Sequence, residues 1–196
     1  FLKLDFETAY NEFEKYRNEH SNTEKDSDNS DIDKNLSYKL KAILSIINNN
    51  PVECLNNNYR YGLYKFGVHE NTNYIDISEN YNRKFLIFCR YHDSAYKIHD
   101  ILYERNIENI ILKGNNKTIE KKIKVFKNNN NMNCMLMVSN TSCAGLNLEF
   151  VTDLIFYHSI KNEQIVGQLV GRAQRIGRKH SLVIHSLYNK EEIEVI

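Results

Sequence analysis

Over the second half of the chain the apolar positions fall into short runs. Phe85–Cys89, Ile110–Leu112, Cys134–Val138, Leu154–Tyr157 and Leu182–Leu187 are apolar almost throughout. Between them apolar residues recur three and four apart: Ala95, Ile98, Ile101 and Leu102 within 93–105, and Ile119, Ile123 and Phe126 within 118–127. A further helix is predicted over 163–177. Uninterrupted apolar strands alternating with amphipathic helices imply strands buried on both faces. That pattern predicts a parallel sheet with helices on both sides, a doubly wound α/β domain. Ligands of such sheets bind beyond the carboxyl ends of the strands, so the loops after Cys89, Leu112, Val138 and Tyr157 are the first places to look.

Upstream, Leu40, Ile43, Leu44 and Ile47 predict a helix beginning near Leu36 and stopped by Asn48–Pro51. Alternation in Tyr59–Phe66 and in Tyr74–Ile77 predicts a hairpin within an Asn- and Tyr-rich stretch. Phe6, Ala9, Tyr10, Phe13 and Tyr16 predict an amphipathic helix within 1–20, and residues 21–35 hold no core-forming cluster. The expected division is an acidic helix and linker over 1–35, then a domain over 36–196 carrying an Asn-rich insert at about 49–82.

Composition narrows this picture. The 196 residues suffice for one domain with an appendage. No run approaches the roughly 18 uncharged apolar residues of a membrane helix, and no basic-then-apolar leader is present. An intracellular setting without membrane contact is therefore expected, in cytoplasm or nucleus, or in a virion or viral factory if the chain is viral. Cys54, Cys89, Cys134 and Cys143 show no C-x-x-C spacing and read as buried, reduced thiols. His92 and His99 lack partner ligands, which argues against a metal site. Residues 1–35 hold 5 Lys/Arg against 10 Asp/Glu, and residues 36–196 hold 21 against 15. A weakly basic body is compatible with nucleic-acid contact. The chain has 28 Asn, 21 Ile and 18 Lys but only 8 Arg and 7 Gly, the imprint of A/T-rich codons. Lys is then the default cation, and a cluster of Arg calls for a reason.

Two segments supply one. SNTSCAGLNL, residues 139–148, places small and hydroxyl residues just after a strand, where backbone amides and hydroxyls can hold phosphate oxygens. QLVGRAQRIGR, residues 168–178, carries Arg172, Arg175 and Arg178 within seven positions, with Gly171 mid-segment. On a helix Arg172 and Arg175 would share one face, with Gln168 a turn earlier. Two adjacent guanidiniums repel unless an anion lies between them, and their planar forks suit phosphate.

QLVGRAQRIGR resembles motif VI of superfamily-two helicases and translocases, Q-x-x-G-R-x-x-R. Its R-A-x-R-I-G continuation is most similar to Swi/Snf-type remodelling ATPases and to helicase-like proteins of large DNA viruses. SNTSCAGLNL resembles motif V, FLIFCRY motif IV, and Leu36-Ser-Tyr-Lys-Leu-Lys the S-x-K helix that opens the second lobe. Gly171 stands where remodellers usually have an acidic residue, which tilts the likeness towards viral or general helicases.

The resemblance implies a second RecA-like lobe that closes on an amino-terminal lobe of the same protein with ATP between them. It gives Arg175 the role of arginine finger on the γ-phosphate, with Arg172 beside it and Gln168 holding the set. It brings Gly145 and Asn147 towards the nucleotide, and Ser139 and Arg90 to the backbone of DNA or RNA. The chain contains neither G-x-x-x-x-G-K-S/T nor a D-E-x-x box, so Mg²⁺ would be held by the other lobe. The expectation is half of a motor, inactive by itself. The alternative is a non-catalytic adaptor that keeps the lobe as a platform, with 1–35 and 49–82 as partner surfaces. A small-molecule enzyme is disfavoured by the lack of a nucleophile–base pair or Rossmann fingerprint.

Overall fold

The computed structural model describes residues 36–52, 59–66, 82–139, 145–160, 163–175, 178, 181–189 and 192. The helix expected within 1–20 and the strand expected at 74–77 lie outside these residues. In chain order the elements are α1 (Tyr38–Ile47), β1 (Tyr59–Phe66), β2 (Phe85–Cys89), α2 (His92–Glu104), β3 (Asn109–Leu112), α3 (Asn116–Asn128), β4 (Cys134–Val138), β5 (Asp153–Phe156), α4 (Glu163–Ala173) and β6 (Leu182–Asn189).

The strands form one six-stranded sheet in the order β1-β6-β5-β2-β4-β3. Five of them are parallel, as their uninterrupted apolar runs predict. β1 runs antiparallel along β6 from Tyr59↔Asn189 to Phe66↔Leu182 and is the edge strand among the described residues. An antiparallel edge strand on an otherwise parallel sheet is a common arrangement.

Side-chain alternation divides the core in two. Leu86, Phe88, Met135, Met137, Leu154, Phe156, Leu182 and Ile184 face α3 and α4, which contribute Ile119, Phe126, Leu169 and Ala173. Phe85, Ile87, Cys89, Cys134, Leu136, Val138, Ile155 and Leu187 face α1 and α2, which contribute Leu40, Ile43, Ile46, Ala95, Ile98 and Leu102. Burial pushes the Cys89 and Cys134 thiols up to about 12, so both are free, inert core residues at neutral pH. No helix among the described residues is long and apolar enough to cross a membrane.

The helix ends follow from the same composition. α1 and α2 both finish with the double backbone bond of a Schellman motif: Asn50 N–H to Ser45 and Asn49 N–H to Ile46, then Ile107 N–H to Leu102 and Asn106 N–H to Tyr103. The left-handed residue is Asn in both, with φ of 58° at Asn49 and 57° at Asn106. Asn is the non-glycine residue best suited to that conformation. α3 starts where the Asn115 side chain accepts the Thr118 N–H at 3.0 Å. It ends against buried Lys84, whose Nζ donates to the carbonyls of Asn129 at 2.6 Å and Met132 at 2.7 Å.

A buried ionic cluster ties the amino end of β5 to its surroundings. Asp153 accepts from both Arg83 nitrogens Nε and Nη2, from the Thr152 hydroxyl at 2.6 Å, and faces His185 Nε2 at 2.9 Å. Arg83 also donates to the Ile46 carbonyl at the end of α1, at 3.2 Å. Burial alone would raise the Asp153 pKa, but hydrogen bonds from His185 and Arg83, the Arg83 charge and Thr152 bring it down to about 2. The unfolded carboxyl titrates near 3.9. Its stabilisation is therefore complete above about pH 4 and is lost as pH falls through about 2. Asp153→Asn should lower the unfolding free energy at pH 7 by about 3 kcal/mol, the cost of orphaning one side of a buried pair. Urea titrations should show the two proteins converging as the pH approaches 2.

Candidate functional site

Parallel strands and antiparallel crossover helices give the lobe two distinct edges. The segments after β2, β3, β4 and β5 lie at the carboxyl edge, and α4 carries the chain back to the amino edge. The candidate residues divide between these edges instead of meeting at the first, as the parallel-sheet rule predicts.

The amino edge holds the arginine-rich segment. α4 ends at Ala173, so Arg172 is on its last turn and Arg175 projects from the connection beyond it. The single helical face expected for both arginines is thus a helix end and the turn that follows. Gln168 and Gly171 are exposed on α4, while Arg172 and Arg175 are half-buried. Among the described residues no carboxylate pairs with either guanidinium. Arg175 Nη2 makes one long contact, 3.5 Å, to the Leu146 carbonyl.

The SNTSCAGLNL segment reaches the same place. Leu148 N–H donates to the Arg172 carbonyl at 3.2 Å, a direct bond between the two motif-like segments. Leu146 and Leu148 are buried in the α3/α4 side of the core, leaving Gly145 and Asn147 exposed between and beside them. Gly145 has φ +81°, a backbone conformation that disfavours any other residue here. Asn147 Oδ1 accepts from the Glu149 N–H at 3.1 Å and so shapes its own turn.

Arg178 differs from its two neighbours. It is only 5% exposed, and its guanidinium donates to four carbonyls: Glu149 at 2.7 Å, Ala173 at 3.0 Å, Val151 at 2.5 Å and Ser181 at 3.2 Å. Those carbonyls belong to the end of α4, the approach to β5 and the approach to β6. Three arginines adjacent in sequence are thus two outward-facing cations and one internal clamp, a distinction spacing alone does not reveal.

At the carboxyl edge, Ser139 and Arg90 lie together. Ser139 Oγ donates to the Arg90 carbonyl at 2.9 Å, and Arg90 N–H donates to His158 Nδ1 at 3.1 Å. Both residues are exposed. His158 is held down to about 4 by burial, then by the charges of Lys39 and Arg90, against an opposing effect of Glu192. Its imidazole is neutral at physiological pH, and Nδ1 serves as the acceptor. Lys39, from the S-x-K helix, is buried and donates to the Tyr157 carbonyl at 2.8 Å and to Glu192 at 2.7 Å. Lys39 is marked in the sequence only as part of the S-x-K segment, and His158 and the Asp153 cluster carry no signal there beyond polar residues beside or within apolar strands. No group of three or more His, Cys, Asp or Glu among the described residues is placed to hold a metal.

Fold and paired edges define a RecA-like α/β lobe. The helicase conserved C-terminal domain model matches residues 68–177, more than half of the chain. The chain belongs to that family, the carboxyl-terminal lobe of superfamily-two helicases. Over 137 residues it is 33% identical to a protein of Acanthamoeba polyphaga mimivirus named as a helicase. The match spans 67% of this chain but 16% of that protein. The crystal structure of the C-terminal part of the Fun30 ATPase domain superposes with a TM-score of 0.53 at 20% identity, covering 58% of this chain and 37% of that one. A SWI2/SNF2 ATPase core from Sulfolobus solfataricus, solved with double-stranded DNA, gives a TM-score of 0.45 at 25% identity, covering 54% of this chain and 22% of that one.

The different burial of the three arginines sets their energetic roles. Arg178→Ala leaves buried carbonyls without donors and should lower the unfolding free energy by about 3 kcal/mol or more. Arg172→Ala should stay within about 0.5 kcal/mol. Guanidinium chloride unfolding of the two variants checks this ordering.

Proposed function

We propose that the lobe supplies one wall of an ATP site in a longer nucleic-acid-dependent motor. Arg175 acts as the arginine finger, Arg172 shares the phosphate charge, and Gln168 orients the pair. The support lies at the amino edge: two half-buried guanidiniums without a carboxylate partner among the described residues, bonded through backbone to Gly145–Leu148. Such a pair is stabilised by an anion with several oxygens, and a triphosphate presents pairs of them at the spacing that planar guanidinium forks match. Gly145 and Asn147, exposed beside Arg175, offer backbone and side-chain groups to the same ligand. The Mg²⁺ that accompanies ATP is assigned to the amino-terminal lobe, since no described cluster here suits a cation.

The chemistry assigned to this lobe is electrostatic. As the γ-phosphoryl group transfers, negative charge grows on its equatorial oxygens, and a positioned guanidinium stabilises that charge without moving. Residues at the carboxyl edge, Ser139 and Arg90, contact the sugar-phosphate backbone of the track, DNA or RNA. Hydrolysis at one edge is thereby linked to strand contact at the other through β2, β4 and β5. The lobe alone binds ATP weakly and turns none over, and the protein acts inside the cell.

In the full-length protein, Arg175→Lys should lower nucleic-acid-stimulated ATPase by about 100-fold or more, a barrier increase of about 2.7 kcal/mol. Lysine keeps the charge but not the fork. Thermal stability should stay near wild type, and Lys121→Ala on the exposed face of α3 should leave turnover unchanged. Equal, mild effects of both substitutions would mean that Arg175 only decorates the surface and would favour a non-catalytic platform.

A further inference from the structure

Aromatic rings collect at the carboxyl edge where the core does not need them. Tyr91, at the N-cap of α2, is 54% exposed, and Tyr96, on the same helix, is 38% exposed. Neither belongs to either side of the core. The His92 and Tyr96 rings stack with centroids 6.5 Å apart and 28° between planes. The Tyr91 ring stands edge-on to His158 at 5.3 Å, which fixes its orientation while most of its surface meets solvent. Single exposed aromatics are ordinary on protein surfaces, but here two exposed tyrosines, each in a ring pair, sit within the first turns of one helix.

Cations flank the rings at both ends. The Arg90 guanidinium lies 5.4 Å from the Tyr91 centroid. Lys113, leaving the end of β3, donates to the Tyr96 hydroxyl at 2.8 Å and lies 5.5 Å from that ring's centroid. β2, β4 and β3 are adjacent, so Arg90 and Lys113 stand two strand spacings apart, roughly 10 Å, with Ser139 after the strand between them. Asp93 is the acidic residue of α2's first turn and tempers the net charge, so rings contribute more than cations to what this surface can bind.

Flat π-faces between cations match unpaired bases on a charged backbone. In a duplex the base faces are stacked on one another and offer nothing to a ring. We propose that Tyr91, His92 and Tyr96, flanked by Arg90 and Lys113, form a shelf on which bases of a single-stranded nucleic acid stack. The proposal rests on the nucleic-acid side of the reading above and adds a base-dependent subsite to its backbone contacts. It makes the carboxyl edge sensitive to whether the strand ahead is open.

Fluorescence anisotropy of the 196-residue chain with labelled oligothymidylate, an abasic oligonucleotide of equal length and a duplex tests this. The base-bearing single strand should bind about tenfold more tightly than the abasic strand. Tyr91→Ala and Tyr96→Ala should each weaken oligothymidylate binding by about 5- to 100-fold and leave the abasic strand unaffected. Tyr91→Phe and Tyr96→Phe, which keep the rings, should restore it, with circular dichroism confirming the fold of each variant. Equal affinity for base-bearing and abasic strands, duplex binding as tight as single-strand binding, or silent alanine variants would overturn the shelf while leaving the phosphate reading of the amino edge intact. Failure of every strand to bind also overturns it, and loss of the Arg175 effect on ATPase is a separate failure of the motor reading.

Discussion

The Arg178 guanidinium, enclosed by the carbonyls of Glu149, Val151, Ala173 and Ser181, determines how the amino edge of the lobe is assembled. A helix end and the approaches to two strands all present carbonyl oxygens at the same point. One cation with a fixed fork of donors satisfies all four, a task a lysine's three divergent donors perform less well. The clamp places the carboxyl end of α4 against the 145–151 segment, where the Leu148 N–H meets the Arg172 carbonyl. Arg172 and Arg175 inherit their positions from that arrangement.

A second consequence is the separation of charge chemistry into two edges. At the amino edge, Arg83 and His185 meet the Asp153 carboxylate, and Lys84 and Arg178 are enclosed by carbonyls, whereas among the described residues Arg172 meets no carboxylate and Arg175 makes one long contact to a carbonyl. At the carboxyl edge, a neutral His158 joins the loops after β2 and β5 through the Arg90 N–H, and Lys39 braces α1 against Tyr157. Strands of four or five residues connect the two edges, so a displacement at one side has a short, rigid route to the other.

Much of the fold was legible because parallel strands buried on both faces leave no room for polar alternation. Phe85–Cys89 and Cys134–Val138 appear at the expected limits, and the helices over His92–Glu104 and Asn116–Asn128 differ by two residues or fewer at either end. β5 begins one residue earlier than expected, at Asp153, because a charged residue inside a buried strand is readable only when its partners are known. β1 was legible as a strand, but its pairing with β6 was not, because alternation does not say which distant strand an element joins. At the site, arginine clustering marks residues 172–178 as one segment. It could not separate the buried Arg178 from the outward-facing pair, since burial depends on carbonyls contributed from residues 149–151 and 181.

In the proposed motor, Arg172 and Arg175 face a nucleotide's phosphates across a lobe interface. A structure of the full-length protein with Mg²⁺ and a non-hydrolysable ATP analogue would show this. The Arg175 guanidinium should lie within hydrogen-bond distance of a γ-phosphate oxygen, with Arg172 beside it and Arg178 still enclosed by its four carbonyls. A bound analogue with both guanidiniums remote from the phosphates, or paired with carboxylates of their own lobe, would contradict it.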